Sequence, residues 1–288
     1  MDAVTGTPIC PSMVSLCLET QQLKSMLQHY AHFLRCHLKT PPRPLPINVQ
    51  KNVVVTMTTT PARINKIWPT LNSIALQSQQ PEKIYLWIPK SFKRFAHATI
   101  QTLPNFMQHY TNLEVQWIEH DYGPATKLLP CLQHIAYQQT KLIIIDDDRI
   151  YPPHFIEDLL TYERLDPCAA LGIAGTIMHG PQRCEYRATK KLALVDVLLG
   201  YNGMLVKPAF FSEAVFQYPP NLSEAFYEDD VWLSGHLHQR NIRRLLIPSL
   251  PGWQSMLLGN TRSFGLCMHE NKDKRNFNLV YQKLFNAL

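Results

Sequence analysis

Two acidic clusters carry most of the chemistry this chain could perform. The first is Asp146-Asp147-Asp148, which ends the apolar stretch Lys141–Ile145 in KLIIIDDDRIYPP. Adjacent carboxylates repel one another and folding does not ask for them, so something positive must meet them. If the strand runs on through the triplet, alternation turns Asp146 and Asp148 to one side and Asp147 to the other. Two hard oxygen ligands on one side suit Mg²⁺ or Mn²⁺, which take one or two protein carboxylates and fill their shells with phosphate oxygens and water. An acidic turn or helix cap accounts for a single aspartate, but poorly for three after a buried strand.

The second cluster is Glu228-Asp229-Asp230, at the head of the helical stretch in FYEDDVWLSGHLHQRN. An acidic first turn, favoured by the helix dipole, is the plain reading. The functional one is a catalytic carboxylate, because like-charged neighbours and partial burial raise a carboxyl's pKa and suit it to work as a general base.

Both clusters need a frame. From Asn52 the chain alternates β-branched, apolar runs (NVVVTMT, KIYLWIP, LEVQWIEH, KLIII) with stretches of helical periodicity (Ile67–Gln77, Ala125–Gln139, and PPHFIEDLLTYERL). Strands alternating with helices imply βαβ units, hence an α/β fold with a mostly parallel sheet flanked by helices on both faces. Ligands in such sheets bind beyond the carboxyl ends of the strands, where the first acidic cluster stands. AALGIAGTIM and YNGMLVKPAFF read as further strands. Before this region, residues 13–38 carry apolar positions at helical spacing, and KTPPRPLP breaks the helix as a stiff linker. That helix packs onto the main domain, or provides a homodimer or membrane-surface contact. From Pro251 no strong periodicity remains, and residues from about 251 to 288 read as a flexible tail. The domain division is therefore 1–46 for the N-terminal helical extension and linker, and 47–288 for the main domain.

Taken in order, TMTTTPAR, the D-x-D of Asp146–Asp148, GYNGMLVKP and EDDVWLS resemble a nucleotide-sugar glycosyltransferase of the GT-A fold, closest to the inverting family-two type, over roughly residues 52 to 244. The resemblance implies a Rossmann-like sheet and a nucleotide-sugar donor, a UDP-sugar by expectation. Its acceptor would be a hydroxyl of a saccharide or glycoconjugate. The implied cofactor is Mn²⁺ or Mg²⁺. In that family the first D-x-D residue contacts the donor ribose and the last binds the metal, which gives those roles to Asp146 and Asp148; Asp147 is structural or joins the donor-binding set. The family's base is the aspartate of an E/D-D-x-x-L pattern, which selects Asp230. Asp229 is the runner-up, because Glu228-Asp229 is also an acidic pair. Thr58, Thr60 and Arg63 fall where the family's first βα loop holds the nucleotide, unless they are plain turn residues. Asp121 could read a base or ribose and Lys127 could meet a phosphate near a helix N-terminus, unless Gly123-Pro124 makes only a tight turn. His269 is a third expected metal ligand, since metal-dependent members of the fold often supply a late histidine. Gly259–Gly265 reads as a lid and Trp253 as a sugar platform or core residue.

Composition narrows the classes further. Lys+Arg exceed Asp+Glu by 28 to 22 without any basic block, so a solvated surface is favoured over a nucleic-acid track. Seven cysteines without a C-x-x-C pair point away from a zinc ribbon or disulfide framework and towards a reducing compartment. With no signal-peptide pattern and no apolar run of membrane-spanning length, a cytoplasmic location is expected. A nucleotidyltransferase of related fold is a competing reading, but it calls for a Gly-rich phosphate loop and TMTTTPAR contains no glycine. A phosphohydrolase calls for an aspartate after the first strand, where this chain has threonines. A non-catalytic glycan- or nucleotide-binding module is the third alternative.

Overall fold

The computed structural model describes residues 27–28, 30–38, 48–180, 182–186, 189–249, 256–257, 266, 269–271 and 275–285. Residues 30–36 form helix α1. The main domain follows as β1 (Val49–Thr58), α2 (Trp68–Ala75), β2 (Gln80–Pro89), β3 (Leu113–Ile118), α3 (Leu129–His134), β4 (Lys141–Ile144), β5 (Arg149–Ile150) and α4 (Phe155–Leu165). The second half holds β6 (Ala170–Gly172), β7 (Gly175–His179), β8 (Gln182–Tyr186), β9 (Ala193–Leu194), β10 (Val197–Leu198), β11 (Met204–Val206), α5 (Asp229–Gln239), β12 (Arg244–Leu246), β13 (Met256–Leu257) and α6 (Arg275–Phe285).

The central sheet has eight strands in the order β3-β2-β1-β4-β11-β6-β12-β9. β1 pairs in parallel with both β2 and β4, and β11 runs antiparallel between β4 and β6. This is the α/β architecture expected of alternating strands and helices, a mostly parallel sheet flanked by helices, with a helical piece at the N-terminal side. Its inner strands are buried on both faces, whereas the edge strands β3 and β9 are partly exposed. In β4, Leu142 and Ile144 pack on the side of α3, α5 and α6, whereas Ile143 and Ile145 pack against α2 and α4. The near-continuous apolar runs of β1 and β4 follow from that double burial.

The chain winds from β1 outward through β2 and β3, then crosses back to place β4 on the other side of β1. The loops after β1 and β4 therefore diverge and leave a crevice between them, the switch point where open α/β sheets bind ligands. Gly203, at φ +91, lets β11 leave the preceding turn; a Cβ there would stand 2.3 Å from the Phe155 ring.

Two local expectations change, at residues 125–139 and in the C-terminal stretch. The helix expected over residues 125–139 is a 3-10 turn, Gly123–Lys127, followed by the short α3, with prolines at the start of each segment. α1 packs one side onto the domain: Cys36 is buried, His32 Nε2 lies 2.9 Å from the Tyr151 carbonyl oxygen, and Asn72 Nδ2 donates to the Cys36 carbonyl. Leu27, Tyr30, Leu34 and Leu38 remain exposed on the other. The C-terminal stretch expected to be a flexible tail instead contains α6, which buries Phe277, Val280 and Leu284 at helical spacing. α6 lies against α5 so closely that a Cβ on Gly235 would meet Leu284 Cδ1 at 2.5 Å. The linker Lys39–Pro46, Trp253 and Gly259–Gly265 lie outside the described residues. Among the described residues no helix is long and apolar enough to cross a membrane.

Candidate active site

β4 ends at Ile144, so the acidic triplet sits in the turn that leads to β5 and not in the strand. Strict alternation therefore does not govern it, and all three aspartates line one cavity of about 770 Å³ at the crevice. Asp147 does not turn away alone. Its Oδ2 accepts from Thr59 Oγ1 at 2.6 Å and its Oδ1 from Arg63 Nη1 at 2.9 Å. Arg63 Nη2 also reaches Asp148 Oδ2 at 3.1 Å, so one guanidinium bridges the second and third aspartates. Thr70 Oγ1 donates to the Asp147 carbonyl, pinning the turn to α2. Burial and the neighbouring Asp147 charge push the Asp148 carboxyl up to about 6.

Asp146 belongs to a different pair. Burial works to raise its pKa, but the Lys127 ammonium 2.7 Å away more than offsets this and holds it below the usual carboxylate range. The same ammonium stands 2.9 Å from Asp229 Oδ2, close but poorly aligned for a directed hydrogen bond, and thus an ion pair. Lys127 is buried, and its main chain is fixed from below: Thr56 Oγ1 on β1 donates to its carbonyl and itself accepts from Trp87 Nε1 on β2. The cation expected to meet a phosphate is thus enclosed between two carboxylates of its own chain.

Asp229 and Asp230 open α5 and face the triplet across the cavity. Asp230 Oδ1 accepts from the Gly200 amide at 2.9 Å. Burial, then the Asp229 charge, raises its pKa well above the ordinary carboxylate value. Glu228 is pushed up to about 7 by burial and by Asp229. Gly200 has no room for a side chain: a Cβ would lie 2.9 Å from Asp230 Oδ1 and 3.1 Å from Lys127 Nζ.

The remaining expected residues divide. Thr60 lines the cavity with a buried Oγ1 that has no hydrogen-bond partner, whereas Thr58 lines it but donates its hydroxyl to the Trp87 carbonyl. Asp121 reaches the wall, yet both its oxygens accept from main-chain amides, those of Lys93 and Gly123. It ties two loops together at the edge of the cavity. His269 is exposed and is not among the described residues lining the cavity; Leu266 and Asn271 from the same stretch are.

Several lining residues carry no sequence signal of their own. Phe92, Arg94 and Phe95 come from the loop after β2, and Arg94 Nε pairs with Glu270 at 2.9 Å. Arg149, stacked over the Tyr201 ring at 4.6 Å, comes from β5, and Arg183 and Glu185 from the β7–β8 hairpin. The polar stretch HGPQRCEYRATKK, which contains Arg183 and Glu185, reads in sequence as a loop that meets a hydrophilic or anionic acceptor.

Among the described residues no three His, Cys, Asp or Glu side chains converge on a common point. Mg²⁺ and Mn²⁺ do not require that, since phosphate oxygens and water supply most of their ligands. Eight acidic residues (Asp121, Asp146, Asp147, Asp148, Glu185, Glu228, Asp229, Asp230) line the cavity against five basic ones (Arg63, Arg94, Lys127, Arg149, Arg183). Asp148, with Asp146 beside it, offers the hard oxygens that could hold such an ion.

Sheet and cleft together make this a mostly parallel α/β protein with an acidic, cation-bridged cavity at its switch point. No family model and no curated sequence matches the chain. Solved structures do. The crystal structure of S. aureus TarS 1-349 is 17% identical with a TM-score of 0.49, over 72% of this chain and 60% of that one. The same protein in complex with UDP gives 17% identity and a TM-score of 0.49, over 74% of this chain and 62% of that one. The chain thus spans less than two thirds of the length of either structure.

Proposed function

We propose that this protein is a glycosyltransferase of the GT-A type, which moves a sugar from a nucleotide-sugar donor, a UDP-sugar, to a hydroxyl of a saccharide or glycoconjugate. The observation that carries this reading is the meeting of two separate carboxylate groups across one switch-point cavity, Asp146–Asp148 from the end of β4 and Asp229–Asp230 from the start of α5. Glycosyl transfer by single displacement needs this pairing. One acidic group anchors the donor and its metal, and the other takes the acceptor's proton on the opposite face of the sugar.

Mn²⁺ or Mg²⁺, bound at Asp148 with Asp146 beside the ribose, would supply positive charge to the departing diphosphate. The chain's own residues do the rest. Thr60, with its unpartnered hydroxyl, and the aromatic wall of Phe92 and Phe95 receive the nucleotide at the β1 end of the crevice. Arg63 orients the triplet by holding Asp147 and Asp148 together. Asp230, fixed through one oxygen by the Gly200 amide, accepts the acceptor hydroxyl's proton, and the anomeric configuration inverts. Arg183, Glu185 and Tyr201 form the polar wall on the acceptor side.

A thermal-shift screen of nucleotide sugars with and without Mn²⁺ tests the reading, because a ligand of the native state raises its melting temperature. A shift with UDP or a UDP-sugar that grows with Mn²⁺ is expected. No shift with any nucleotide sugar refutes it.

A further inference from the structure

Lys127 is the least ordinary group in the cavity. A buried lysine without a partner would give up its proton. Here burial acts against the charge, but Asp146, Asp229 and, more distantly, Asp230 hold the ammonium firmly protonated. The two carboxylates it touches come from opposite sides of the proposed reaction centre, one from the donor-side triplet and one from the head of α5. Its backbone is anchored through Thr56 to β1, and its side chain is buried between the two partners. Asp230 has no ion pair of its own among the described residues; its one close polar contact is the Gly200 amide.

We propose that Lys127 is a positioning residue, a fixed cationic strut that sets the separation of the donor-side and base-side carboxylates and absorbs the charge of Asp229, so that Asp230 is left to accept a proton. The proposal deepens the glycosyl-transfer reading and rests on it for its kinetic part. Its geometric part, the coupling of Lys127 to Asp229, stands without it. The strut also divides two neighbouring aspartates by role: the one that faces the ammonium is a permanent counter-ion, and the one beside it is the base.

A double-mutant cycle separates a strut from a phosphate ligand. The proteins are wild type, Lys127→Met, Asp229→Asn and Lys127→Met/Asp229→Asn, with Lys127→Arg as the charge-keeping control. Lys127→Met is expected to lower kcat by about a hundredfold or more, with a smaller change in donor KM. Adding Lys127→Met to Asp229→Asn should cost less than Lys127→Met costs in the wild type, because only the Asp146 half of the bridge is then left to lose. Lys127→Arg should recover part of the loss. Losses that multiply across the cycle, or a Lys127→Met protein whose defect is confined to donor KM, would overturn the proposal. Urea midpoints of the same proteins provide a readout without substrate. The double variant should unfold at higher urea than Lys127→Met, and simple additivity of the midpoint shifts counts against the strut. A wild-type protein inactive on every nucleotide sugar would sink the functional reading, while the urea cycle would still decide the strut.

Discussion

Arg63 Nη1 donates to Asp147 Oδ1 at 2.9 Å, joining the loop after β1 to the turn after β4 at the point where the sheet changes winding direction. The same guanidinium contacts Asp148. The crevice is therefore fastened from within by an ion pair that is mostly out of solvent, with side-chain exposures of 14% and 6%. Removing one partner of such a pair strands the other. Arg63→Met is expected to cost about 3 kcal/mol of stability, at the lower end of the range for broken buried pairs because Arg63 keeps some contact with water. A urea titration measures it, and a change under about 0.5 kcal/mol would show the pair to be solvent-like.

The division of labour between the acidic groups predicts separable defects. Asp148→Asn should abolish the Mn²⁺-dependent part of the thermal shift produced by UDP. Asp230→Asn should keep that shift and lose about 10²–10⁴-fold in transfer rate, the usual contribution of a general base. Full transfer activity in Asp230→Asn would move the base to Asp229 or remove the single-displacement scheme.

Stability should fall as pH rises through neutrality. Glu228 has a folded-state pKa pushed up to about 7 from an ordinary 4.5, by burial and then by Asp229. A carboxyl raised in this way binds its proton more tightly in the folded state. Its stabilising contribution is complete below about pH 4.5 and is lost as pH climbs through about 7. Asp148, raised to about 6, acts in the same direction. Glu228→Gln removes the Glu228 share. It should be more stable than wild type at pH 8 by about 1–3 kcal/mol and gain nothing at pH 4.5, because each tenfold gain in proton affinity on folding is worth about 1.4 kcal/mol. Denaturant melts at the two pH values measure the difference, and a wild-type protein that gains stability between them contradicts the assignment.

Gly200 offers a steric probe of the base. A methyl group there would intrude on Asp230 Oδ1 at 2.9 Å and on the Met204 Cε at 2.9 Å. Gly200→Ala should cost about 1–3 kcal/mol through overpacking. It should also slow transfer by at least about tenfold, because a small displacement of a catalytic group is costly. Steady-state kinetics with UDP-binding measured in parallel would show whether kcat falls while donor affinity holds.

Residue order alone commits this chain to its sheet and its acidic clusters. The β-branched run KLIII reads as a strand buried on both faces, and carboxylates placed directly after such a strand stand at the crevice. These are local facts, set by side-chain period and by the cost of burying charge. α6 escaped notice because its apolar positions, Phe277, Val280 and Leu284, follow the polar stretch ENKDKRN, and because the face they cover belongs to α5. The near-complete burial of Val231 to Leu237 makes sense only once α6 lies over it. Which cation meets which aspartate was settled by the folded chain and by nothing earlier. In sequence Lys127 reads as a phosphate ligand near a helix N-terminus, and Thr59 carries no signal of its own. Each found its partner through a chain reversal dozens of residues away, where Coulomb attraction acts on distance in space and leaves no periodic trace along the chain.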